Sequence, residues 1–161
     1  MRVDEICSKN VIVVSRDESV STVAQLMREY HVGAVVVTEQ THGRRQPVGI
    51  VTDRDLVVEL LAKGLDMDAV TAGDLTAPNL VTVPAESSVL EAIEIMSNRG
   101  VRRLPVVDGT GRELVGILAV DDVLAVLSRS VQRVASLIRY EQDREKTLIR
   151  APPSRCITSP N

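Results

Sequence analysis

The chain has 161 residues, 44% of them apolar, with a formal net charge of −3 and two aromatic side chains, Tyr30 and Tyr140. So acidic a chain lacks the electrostatic footprint that DNA binding uses, and so few rings leave little for single-stranded bases to stack on. Nucleic acid is therefore not an expected partner.

No apolar stretch approaches the roughly 18 uncharged residues that a membrane span needs. The start, Met1-Arg2-Val3-Asp4-Glu5, has no apolar signal-peptide core. Cys7 and Cys156 lie near opposite ends, so a disulfide framework is not expected and a reducing cytoplasm fits best.

Read in chain order, the sequence says most things twice. One offset lays Asn10 on Asn79, Ser19-Val20 on Ser88-Val89, Met27 on Met96, Val32 on Val101 and Val37 on Val106. After a polar loop the offset shortens slightly, and Val48-Gly49-Ile50 meets Val115-Gly116-Ile117 while Asp55 meets Asp122. A duplicated unit tolerates change in a loop. Even the lead-in repeats, Val3-Asp4-Glu5-Ile6 matching Ala72-Gly73-Asp74-Leu75.

Each copy opens with a short strand rich in β-branched residues, residues 11–14 or 80–83. Ser19 and Ser88 follow as helix N-caps, the second with Glu91 completing a capping box. Val20, Val23, Ala24 and Met27, then Val89, Ala92, Ile93 and Met96, have the spacing of one buried helical face. A second strand, 32–37 or 101–107, is apolar enough to be buried on both sides. A polar loop follows, 38–46 or 108–112, then a strand with the Gly-Ile pair and a second helix. Each copy is thus β-α-β-β-α and about 55–60 residues, marginal alone, so the copies should pack face to face. The expected division is 3–62, a linker at 63–71, 72–128, a helical extension at 129–148 and a disordered tail at 149–161. On the extension, Leu124, Leu127, Val131, Val134 and Ile138 form a stripe that suits a partner helix or the chain's own domain.

Two features could carry chemistry. Thr52-x-x-Asp55 reads first as a helix start, the hydroxyl capping backbone and the carboxylate in the first turn. It also resembles the carboxylate that takes sugar hydroxyls in nucleotide folds. Arg102-Arg103 opens a buried strand where the first copy has Gly33-Ala34, and two guanidinium groups there suit phosphate oxygens as well as acidic neighbours. His31 and His42 have no partners at the spacing of a triad or metal site, Cys7 has no activating motif, and an enzyme is not expected.

Gly49-Ile50-Val51-Thr52-Asp53-Arg54-Asp55-Leu56 and Gly100-Val101-Arg102-Arg103-Leu104-Pro105-Val106-Val107-Asp108, set in a duplicated β-α-β-β-α unit, resemble a tandem pair of CBS domains, a Bateman module. The likeness covers residues 3 to 128 and is similar to bacterial stand-alone pairs. It implies an α/β (α+β) fold of two pseudo-twofold repeats packed through their sheets, commonly a homodimer, binding AMP, ADP, ATP or S-adenosylmethionine in clefts between the repeats. Carried onto this chain, one cleft would gather Ile50, Thr52, Asp53 and Asp55 with Val81 and Arg102-Arg103. The mirror cleft would use Asp122 with Ile12, Gly33 and Ala34. Having Ala119 in place of threonine and no basic pair, it is expected to be empty or to take a less charged ligand. The resemblance implies a regulatory module conveying nucleotide state to an unknown partner protein. The rival is a ligand-free adaptor acting through its C-terminal helix.

Overall fold

Valine dominates both halves of the chain, and the strands it forms build two small sheets. In the computed structural model, which describes the backbone of residues 1–150 and side chains through residue 146, the first copy runs β1 (Val13–Val14), α1 (Val20–Glu29), β2 (Ala34–Thr41), β3 (Arg44–Thr52) and α2 (Asp53–Asp55). The second runs β4 (Val83–Pro84), α3 (Val89–Arg99), β5 (Arg103–Val107), β6 (Leu114–Ala119) and α4 (Val120–Arg150). Each sheet has three strands in sequence order, the first pair parallel and the second antiparallel. The two sheets approach each other along β3 and β6. This is the duplicated α/β arrangement expected from the sequence.

The caps fall where the spacing puts them. Ser19 Oγ accepts from Thr22 N–H at 3.2 Å to start α1. Ser88 Oγ accepts from Glu91 N–H at 3.2 Å, while Glu91 Oε2 accepts from Ser88 N–H at 2.7 Å. Val20, Val23 and Met27 are buried on α1, and Val89, Ala92 and Met96 on α3, so both methionines fill core. Val35, Val36 and Val37 are wholly enclosed, as are Leu104 and Val106, which confirms burial on both faces of the middle strands. Each such side chain withdrawn from water contributes about 1.5–3 kcal/mol.

The cores are closed crosswise. Val3 and Cys7 belong to the core of Val83, Val106 and Leu118, whereas Ala72 belongs to that of Val14, Val35 and Val51. Backbone bonds seal both crossings: Ser8 and Ile117 exchange two at 2.9 Å, Asp4 N–H reaches Ala85 O at 2.9 Å, and Ala72 N–H reaches Glu18 O at 2.8 Å. Each lead-in therefore packs on the other copy's sheet.

Three local expectations need correction. The opening strands are shorter than the β-branched runs, pairing only at Val13–Val14 and Val83–Pro84. The polar loop at 38–46 is instead a continued hairpin: β2 and β3 stay paired to Thr41↔Arg44, and only His42-Gly43 turns. Both turn residues have positive φ, 52° and 75°, the pattern of a type I′ turn whose twist suits a tight hairpin. Past Asp55 the helix widens into a π-turn over Leu56–Leu61, with Ala62 N–H bonded to Val57 O at 2.9 Å and Leu60 buried.

The helix α4 extends beyond residue 148 to Arg150, and the tail expected to be disordered lies, from residue 151 on, outside the described residues. Leu124, Leu127, Val131, Val134 and Ile138 are all exposed along α4. No helix among the described residues is long and apolar enough to cross a membrane.

Candidate ligand-binding site

Both helix-start carboxylates are held by the local chain, and differently. Asp55 Oδ2 accepts from Thr52 N–H at 2.8 Å and from its hydroxyl at 2.7 Å, while Thr52 Oγ1 accepts from Asp55 N–H at 3.3 Å. Asp122 Oδ2 accepts only from Ala119 N–H, at 2.9 Å, because alanine has no hydroxyl to add. In both residues Oδ1 takes no hydrogen bond among the described residues, so it can accept from a ligand without breaking the cap.

Strand register decides where the arginines go. Arg103 pairs with Ala119 across β5 and β6, which sets it beside the head of α4 and near Asp122. Ala34 pairs likewise with Thr52. Arg102 is exposed, and its carbonyl accepts from Val120 N–H at 2.9 Å, as the Gly33 carbonyl accepts from Asp53 N–H at 3.3 Å.

A cavity of about 200 Å³ collects Arg103 with Asp122, Ile12, Gly33 and Ala34. Val11, Val32, Ile117 and Ala119 make much of its remaining wall apolar, and Ser8 and Asn10 bring polar groups from the crossing lead-in. All four residues expected of the mirror cleft thus line one cavity. This cleft was expected to have no basic pair, and it has none, but it does hold one arginine that was assigned to the other cleft: antiparallel pairing sets Arg103 opposite Ala119, beside the helix head that carries Asp122. Ile50, Thr52, Asp53, Asp55 and Arg102 are not in this wall, and Val81 lines a separate depression with Ile95, Asn98 and Arg99.

Asp53 nevertheless comes close from the side. A side chain at Gly33 would begin 3.1 Å from Asp53 Oδ2 and 3.2 Å from Arg103 Nη2. Glycine there lets a carboxylate of the first copy and a guanidinium of the second approach the same spot. The sequence placed Asp53 and Arg103 in one cleft, and they do approach each other here, but it did not place Arg103 with Asp122; pairing the strands of each hairpin in antiparallel register would have done so.

Two duplicated cores, closed by each other's lead-ins around a largely apolar cleft that carries one carboxylate and one guanidinium, define a tandem pair of small α/β units. The CBS domain family model matches residues 3–62 and 72–129, and the chain belongs to that family. It is 37% identical over 124 residues to an uncharacterized protein of Methanopyrus kandleri, across 77% of this chain and 61% of that protein, so it spans under two thirds of that relative's length. Hypoxic response protein 1 of Mycobacterium tuberculosis is 34% identical over 122 residues, covering 74% of this chain and 80% of that one. A crystal structure of that protein with two coordinated zinc ions has a TM-score of 0.66 over 78% of this chain and 98% of the other. A CBS domain protein of Pyrobaculum aerophilum, complexed with AMP, is 27% identical with a TM-score of 0.67, covering 76% of this chain and 89% of that one.

Proposed function

We propose that this chain is a regulatory module, not an enzyme, that binds an adenosyl ligand in the cleft of Asp122 and Arg103 and conveys its presence to a partner protein. The observation that carries the reading is the pairing, in one cavity, of a carboxylate with an uncommitted oxygen and a half-buried guanidinium. Asp122 Oδ1 accepts the paired ribose hydroxyls, Ile12 and Val32 flank the base, and Arg103 grips phosphate oxygens bidentately. The AMP complex of the Pyrobaculum aerophilum relative supports an adenosyl ligand.

The mirror position, of Ile50, Thr52 and Asp55 with Arg102, is a further ligand site in this reading. AMP, ADP, ATP and S-adenosylmethionine are the candidates. The module works in the cytoplasm as a homodimer, with ligand preference for one arrangement of the repeats shifting the population.

Thermal melting with each candidate ligand tests this. A concentration-dependent rise in Tm is expected, since a ligand that binds only the folded state stabilises it. Asp122→Asn should abolish the rise if the first cleft is the site, and Asp55→Asn if the second is. No response to any of the four would favour the adaptor reading, for which the exposed apolar stripe on α4 is the working surface.

A further inference from the structure

The cavity's wall holds one cation, Arg103, and one anion, Asp122; every other lining residue is uncharged. A second anion lies alongside. Asp53 Oδ1 is tied to Arg54 N–H at 2.8 Å and the Asp53 backbone to Gly33 O at 3.3 Å, so its free Oδ2 is presented toward Gly33 and the Arg103 guanidinium.

Resting on the adenosyl reading of this cleft, we infer that Asp53 is its specificity-determining residue, excluding polyphosphates and admitting adenosyl ligands with at most one phosphate. Arg103 has five N–H donors in a fork, enough to grip one phosphoryl group while facing Asp53. A second and third phosphate would bring several more negative charges to a place where one guanidinium already faces two carboxylates. Their repulsion is strongest at short range, and Asp53, though exposed, stands beside the guanidinium. Gly33 and Ala34, which stand where the other copy has its arginines, supply no compensating cation. Gly33 is part of the device, because any side chain there would touch both charged groups.

Calorimetry with AMP and ATP in magnesium-free buffer tests the inference on the wild-type protein and Asp53→Asn, with Asp122→Asn locating the site. Wild-type protein should bind AMP about tenfold or more tighter than ATP. Asp53→Asn should narrow that ratio to roughly threefold or less by improving ATP. Raising salt should narrow the wild-type ratio too, because screening weakens the repulsion, and this readout survives if the variant does not fold. ATP binding as tightly as AMP, or a ratio that Asp53→Asn and salt both leave unchanged, would overturn the selectivity alone. No heat from either nucleotide would overturn the adenosyl reading of the cleft, and the selectivity with it.

Discussion

Gly49 and Thr76 meet where a lead-in crosses a sheet: a β-carbon at Gly49 would stand 2.1 Å from Thr76 Cγ2. The duplicated position behaves alike, for a β-carbon at Gly116 would stand 2.8 Å from Cys7 Sγ and 2.9 Å from Ser8 O. Both glycines are buried in mid-strand, where glycine ordinarily weakens a sheet. They recur because the other copy's lead-in presses on the backbone there. Gly49→Ala and Gly116→Ala should each destabilise the protein by about 1–3 kcal/mol through overpacking. Thr76→Ala should recover part of the Gly49→Ala loss, and a double-mutant cycle by denaturant unfolding measures the coupling.

Arg103→Ala should weaken adenosyl-phosphate binding by about 1.5–3 kcal/mol, the worth of a charge-assisted contact. Arg103→Lys should recover only part, since an ammonium cannot make the planar bidentate grip. The same substitutions should leave binding of adenosine, which has no phosphate, nearly unchanged. Calorimetry separates the two effects.

Asp108 anchors the turn between β5 and β6. Its carboxylate accepts from the backbone of Glu113, the Thr110 hydroxyl and the backbone of Arg112, with Arg44 nearby, and this holds its pKa at about 2 against an ordinary 3.8. As pH falls from 3.8 toward 2 the unfolded chain takes up this proton before the folded one does, so the stabilisation present at higher pH is lost through that window. Melting curves between pH 5 and 2 should show a pH slope that Asp108→Asn reduces, at about the reference carboxylate range.

Leu127→Asp and Val131→Asp should convert a homodimer to monomers if the α4 stripe seats a second copy. Both positions are exposed, so little change in the fold is expected. Light scattering after size exclusion gives the mass directly. An unchanged mass would move the dimer contact elsewhere.

Local signals read well from sequence because their partners are close in the chain. Ser19, Ser88 and Glu91 cap helices through bonds three residues away, and Met27 and Met96 follow from helical period alone. The duplicated order of elements was legible for the same reason, since both copies punctuate alike. What escaped depends on pairing between elements. The placement of Arg103 beside Asp122 follows from strand register, and the long hairpin from a His42-Gly43 turn that stands in for the usual Asn-Gly or Asp-Gly signature. The exchange of lead-ins was invisible for a different reason: Val3 and Ala72 look equally fit for either core, and only the path of the chain chooses.

That exchange changes what counts as a dispensable end. Trimming the protein to begin at Lys9 would look like removing a ragged terminus, yet it strips Val3 and Cys7 from beneath Leu118 and leaves the edge beside Ile117 without its mate. The damage would surface in the half farthest along the chain from the cut. Severing the two halves at the linker would leave the later one roofless and the earlier one missing its latch.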